Sequence, residues 1–192
     1  GGDPSKKDYQ ELFVRWFQYG TFCPVFRCHG RRYLGDTKAP NELWAYGPEV
    51  QRICTDLIKL RYRLLPYIYT LSGKVTHEHY TPMRLLAFDF AYDQNVLDCK
   101  DQFMYGPALL VCPVLEAGAT SRSVYLPQGC TWVDFWTGAI YQGGTTITAE
   151  APLDKMPLFV KSGSIIPYYT SVEKNINVDV PLEIHVFGGE NA

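Results

Sequence analysis

The sequence predicts an α+β chain, with a helical part first and an antiparallel β-sandwich part after it. Three observations predict this. Two long stretches before Tyr80 repeat apolar residues every three or four positions, the period of an amphipathic helix. From Thr81 onward the apolar residues fall in short runs broken by Gly and Pro, which is strand punctuation. Those runs follow one another closely, as in a sandwich, and are not separated by helical stretches as in βαβ units.

Residues 1–7 are polar and read as a loop, with no phosphate-binding pattern after Gly2. Residues 8–19 read as a helix. Asp8 offers an oxygen or a charge at its start, and Glu11 lies in the first turn. Leu12, Phe13, Trp16 and Phe17 fall on one face, and Trp16 is expected in the core. Residues 22–26 form a short apolar run between Gly20 and Gly30, and read as a buried strand. Arg27 and His29 follow it directly. A cation and an imidazole at a strand end stand where α/β barrels bind ligands. A structural, hydrogen-bonded histidine is the competing reading.

Residues 30–46 read as an irregular loop carrying Arg31, Arg32, Asp36, Lys38 and Glu42, of a length that is functional or mobile. The clearest helix spans residues 48–71. Pro48 suits its first position. Val50, Ile53, Leu57, Leu60, Leu64, Ile68 and Leu71 make one stripe. Pro66 removes a backbone donor and predicts a kink near Tyr62, and Gly73 is the expected stop. Tyr62, Tyr67 and Tyr69 are expected to pack.

Beyond the change of period, strands are expected at 103–105, 109–114, 124–126, 131–135, 145–148, 158–160, 165–168 and 182–187, with a strand or extended loop at 81–86. Trp132 and Trp136 could form a sugar-stacking platform or pack in a core. His77 and His79 would share a face only in a strand, and no third metal ligand stands near them in sequence.

Composition narrows the function. The chain has 192 residues, 46% hydrophobic and 20% charged, with a net charge of −2. That balance gives no electrostatic case for nucleic acid or an anionic membrane. No apolar run is long enough to span a bilayer. Aromatics reach 15%, with fourteen Tyr. They suit a β-rich core, or ring faces that stack on sugars. The six cysteines form no Cys-x-x-Cys pair, so zinc and thioredoxin-like sites lose support. Cys23, Cys54 and Cys112 lie in apolar surroundings that suit buried thiols, although an even count permits disulfides.

Several phrases resemble one family, in its order. They are Glu11-Leu12-Phe13-Val14-Arg15-Trp16-Phe17-Gln18-Tyr19-Gly20, Phe26-Arg27-Cys28-His29-Gly30, and Arg61-Tyr62-Arg63-Leu64-Leu65-Pro66-Tyr67-Ile68-Tyr69. Downstream come Gly106-Pro107-Ala108-Leu109-Leu110-Val111-Cys112-Pro113-Val114, Trp132-Val133-Asp134-Phe135-Trp136-Thr137-Gly138, and residues 157–167. Together they resemble glycoside hydrolase family 31, the α-glucosidases and α-xylosidases. Asn41-Glu42-Leu43-Trp44-Ala45-Tyr46-Gly47 resembles the α-xylosidase branch.

The resemblance implies the C-terminal end of a (β/α)8 barrel over residues 1–80. A proximal β-domain over 81–170 and the start of a distal one over 171–192 would follow. It implies a retaining α-glycosidase acting on an oligosaccharide substrate, without metal or organic cofactor. Retaining hydrolysis needs two carboxylates flanking the sugar. In the family both lie on earlier barrel strands, so none of Asp89, Asp93, Asp98, Asp101 and Asp134 is expected to be catalytic. His29 matches the family histidine that hydrogen-bonds sugar hydroxyls, and Arg27 the arginine two residues before it. The two are the expected substrate-binding residues, with a structural ion pair behind the site as the competing reading of Arg27. A non-catalytic carbohydrate-binding or structural β-module is the alternative from another class.

Overall fold

A computed structural model describes residues 2–30, 32–35, 37–172 and 179–188. Helix α1 spans Lys7–Thr21, α2 Pro48–Arg63, α3 Leu65–Glu78 and the single turn α4 Leu86–Asp89. Strands β1 (Arg32–Leu34) and β2 (Thr37–Ala39) form a hairpin, with Gly35 at φ +60 in its turn. The strands after the helices are β3 (Met83–Arg84), β4 (Phe103–Tyr105), β5 (Leu109–Val111), β6 (Ser121–Leu126) and β7 (Thr131–Asp134). Then come β8 (Ile140–Gln142), β9 (Thr145–Glu150), β10 (Leu158–Lys161), β11 (Ile165–Tyr169) and β12 (Leu182–Val186).

Six strands make an antiparallel sheet in the order β3-β4-β5-β10-β7-β8. Strands β4 and β5 are apolar at every position, and β10 at all but Lys161, because both faces are covered. Period-2 alternation sorts their side chains between two cores. Phe103, Tyr105, Leu109, Val111, Leu158 and Val160 point to one side, against Phe22, Leu64, Tyr67 and Leu71 from the helical part and Ile166 and Tyr168 from β11. Met104, Leu110, Trp132 and Phe159 point to the other, against Val124, Leu126 and Ala149 of the antiparallel β6-β9 pair. A third core joins Val14 and Phe17 of α1 to Val50, Ile53, Cys54 and Leu57 of α2. The architecture is therefore α+β, a helical segment followed by packed antiparallel sheets.

The kink falls where the proline chemistry requires. Pro66 has no N–H for the Tyr62 carbonyl, and α2 stops at Arg63 before α3 restarts. Gly73 does not end the helix. It sits inside α3, which continues to Glu78 and ends at His79, at φ 56, with Tyr80 N–H donating to the Lys74 carbonyl. This is a left-handed cap on a residue other than Gly. His77 thus lies in a helical last turn and His79 in the cap, so they share no strand face. Two further expectations are corrected. Residues 30–46 contain the β1-β2 hairpin and a 3₁₀ turn, Leu43–Tyr46, with Arg31 and Asp36 outside the described residues. Strand β8 was not foreseen, because Ile140 and Gln142 are exposed and Tyr141 only half-buried, so no apolar run announces it.

The helical part is fastened to the sheets by polar contacts. Arg15 is buried and donates to the carbonyls of Ala119 and Ala151, both at 2.9 Å, and to those of Pro152 and Lys155 at 3.2 and 3.4 Å. Gln18 Nε2 donates to the Leu153 carbonyl at 2.9 Å. Glu11 accepts the Gly118 N–H with both oxygens. Burial pulls the Arg15 pKa down, and Glu11 opposes that shift. Tyr67 ties α3 to the sheet, donating to the Tyr105 carbonyl at 2.7 Å and accepting from Ala108 N–H at 3.3 Å.

Candidate functional site

Residues 22–26 are not a strand. Helix α1 runs on through Thr21, Phe22 caps it, and residues 23–25 bend before Phe26 to Gly30, which are neither helix nor strand. A strand exists only through a ladder partner, and this stretch has none among the described residues. Its anchors are side chains. Phe22 is buried against Tyr105, and Phe26 packs edge-on to Phe17, with ring centroids 4.7 Å apart. Gly20 lets Phe26 approach, since a Cβ there would meet the ring at 3.0 Å. Arg61 of α2 donates to the carbonyls of Thr21, Cys23 and Pro24 at 2.5, 2.9 and 3.2 Å.

The two predicted site residues come together. Arg27 Nη2 lies 2.9 Å from His29 Nδ1, and both side chains are exposed. A guanidinium can only donate, so Nδ1 is the acceptor and the ring proton sits on Nε2. The pair therefore offers a fixed N–H donor and a cation side by side. Arg27 also lines a hollow of about 290 Å³ with Phe26, Asn41, Glu42, Arg61 and Tyr62. Asn41 and Glu42 lie in the phrase that resembles the α-xylosidase branch, whereas no site role for Arg61 is readable from the sequence. The Arg61 phrase signalled a helix, and nothing in it shows that one side chain leaves that helix to hold another segment.

A larger hollow, about 450 Å³, lies between α1 and the sheets and is lined by Leu12, Trp16, Tyr19, Phe103 and Leu115, among others. Trp16 is 65% exposed there, contrary to the expectation of core packing. The α1 stripe is wider than the surface the sheets cover. Trp132 is fully buried, its Nε1 donating to the Pro127 carbonyl, and Trp136 Nε1 donates to the Met156 carbonyl. Both are structural.

Four of the five carboxylates, Asp89, Asp93, Asp101 and Asp134, have structural partners. Arg84 Nε donates to both oxygens of Asp89. Asp101 pairs with Arg122. Asp134 accepts the N–H groups of Trp136 and Thr137 in the β7–β8 turn. Asp93 is buried and accepts from Asn95 N–H and Nδ2, the Tyr125 hydroxyl and Gln128 N–H. Burial alone would raise its pKa, but these bonds outweigh it and hold the carboxyl below its usual range. Among the described residues no three His, Cys, Asp or Glu side chains gather as a metal site would require. The six cysteines are unpaired; Cys54 and Cys112 are buried and Cys23 half-buried. No helix of the described residues is long and apolar enough to cross a membrane.

Comparison with known proteins agrees with the fold. Residues 1–71 match the model of the glycosyl hydrolases family 31 TIM-barrel domain, and residues 79–166 that of the family 31 C-terminal domain. The chain is 43% identical to an α-xylosidase of Saccharolobus solfataricus, over 99% of this chain and 25% of that protein. It is 40% identical to α-glucosidase 2 of Bacillus thermoamyloliquefaciens, over 81% of this chain and 19% of that protein. The crystal structure of a family 31 α-xylosidase from Xanthomonas citri superposes with a TM-score of 0.84 at 42% identity, covering 93% of this chain and 19% of that one. The chain thus spans a quarter or less of the length of these relatives. The two family 31 domain models match in succession along the sequence, and the chain belongs to glycosyl hydrolase family 31.

Proposed function

We propose that this chain supplies the substrate-contacting rim and the C-terminal β-part of a retaining α-glycosidase, an α-xylosidase that removes terminal α-linked xylose from xylosylated oligosaccharides. Residues 1–80 are the last part of its catalytic barrel, 81–170 the proximal β-domain and 171–192 the start of a distal one. The catalytic carboxylates lie outside these 192 residues. The observation that supports a sugar contact is the Arg27–His29 pair, whose Nε2–H is free to donate to a hydroxyl. A ring held by a neighbouring cation loses little freedom on binding, and a site built to donate penalises a sugar lacking that hydroxyl.

Xylose is preferred on the likeness of residues 41–47 and on the α-xylosidase that aligns with 99% of the chain. The second reading is an α-glucosidase, supported by the 40% identity to one. The test has two arms. The 192-residue chain alone is expected to hydrolyse no aryl α-glycoside, and turnover by it would place catalytic carboxylates here. The full-length polypeptide is expected to have a higher kcat/KM on an aryl α-xyloside than on the matching α-glucoside. A reversed ratio would establish the glucosidase, and loss of both activities with retained sugar binding would establish a binding module.

A further inference from the structure

The Arg27–His29 pair sits on a stretch without a strand partner, so some other group must hold its backbone. We propose that Arg61 is the positioning residue of this site. It acts through the backbone of residues 21–26 and sets where Arg27 and His29 stand. The proposal rests on the reading of His29 as a sugar contact.

Three features of Arg61 converge. Its guanidinium spans three carbonyls, Thr21, Cys23 and Pro24, across the segment that leads from α1 to Arg27. Thr21 is the last residue of α1, whose final carbonyls have no helical partner and carry the negative end of the helix dipole. One cation thus caps α1 and fixes the exit direction of the chain. The same group lies over the Phe26 ring, 5.4 Å from its centroid, and Phe26 is the residue before Arg27.

Arg61 is itself held from two sides. It belongs to α2, on the same face that packs on α1 through Val50, Ile53, Cys54 and Leu57. It also lies against the Tyr105 hydroxyl of β4. Burial raises the pKa of that phenol, and Arg61 opposes the rise. Among the described residues no carboxylate forms an ion pair with Arg61, so its charge is directed at backbone oxygens. A lysine would keep the charge but not the planar fork that reaches three carbonyls at once.

The test uses the full-length polypeptide with Arg61→Lys, His29→Ala and the double variant. Lys is chosen because it keeps a cation at the end of α1 and so preserves the fold. Each variant is assayed for kcat and KM on the preferred aryl α-glycoside and for its melting temperature. Arg61→Lys is expected to lower kcat/KM roughly tenfold, with a melting temperature close to that of the parent. The double variant is expected to lose no more than His29→Ala alone, because Arg61 acts through His29. Loss by His29→Ala with none by Arg61→Lys would overturn the positioning role alone, as would losses that multiply in the double variant. A silent His29→Ala would overturn the substrate-contact reading instead.

Discussion

Arg15→Ala should loosen α1 from the sheets without disturbing the sheets themselves. The arginine is buried and donates to four backbone carbonyls of residues 119 and 151–155. Hydrogen bonds made by a charged group contribute about 1.5–3 kcal/mol each. Two of the four are short, at 2.9 Å, and the Ala151 bond is wholly buried. The carbonyls nearer the surface regain water when the side chain is removed, and the cost of burying the guanidinium is recovered. The net loss is then about 2–4 kcal/mol, the range for breaking a buried polar network. At tenfold per 1.4 kcal/mol, amide exchange of α1 through local opening should rise roughly 30- to 700-fold. Hydrogen exchange read by mass spectrometry resolves α1 from β5 and β10, whose protection should hold. Arg15→Met keeps most of the volume and should lose nearly as much. An α1 rate within threefold of the parent for both variants would refute the view that these bonds fasten the two parts together.

Two further outcomes follow from buried polar groups. Tyr67→Phe removes a hydroxyl that donates to the Tyr105 carbonyl and accepts from Ala108 N–H, leaving two buried backbone groups short. It should lower stability by about 1–3 kcal/mol, read as a lower urea midpoint at an unchanged slope. Asp93 has a folded pKa held below its unfolded value, so its contribution is present above the unfolded pKa of about 3.9 and is lost as pH falls through the folded one. Asp93→Asn should flatten stability against pH below about pH 4, and acid unfolding curves of unchanged steepness would contradict this.

Period and punctuation made much of the fold legible in the sequence. The α2 stripe, the Pro66 break and most of the strands follow from side-chain spacing that any covering layer would require. Strand β8 escaped because its pairing to β7 is made by backbone atoms, with exposed side chains that carry no pattern. Gly73 misled because a glycine is permitted in a helix interior, while the actual cap, His79, has no strong signature. Residues 22–26 misled differently. Their composition suits a strand, but a strand is a property of two segments, and Arg61 and Phe22 hold this one instead. The candidate site was legible as two residue types two positions apart. The tautomer of His29, set by Arg27, needed coordinates.

His29 is proposed as a donor to substrate. Its most direct test is His29→Ala in the full-length polypeptide, with kcat/KM and melting temperature taken from one preparation. The side chain is exposed and hydrogen-bonds to Arg27, so little packing is lost. Removing a hydrogen bond in a desolvated site costs about 1–3 kcal/mol, and kcat/KM should fall roughly tenfold to a hundredfold with the melting temperature nearly unchanged. A lower melting temperature with unaltered kcat/KM in the folded fraction would contradict the account and return His29 to a structural role.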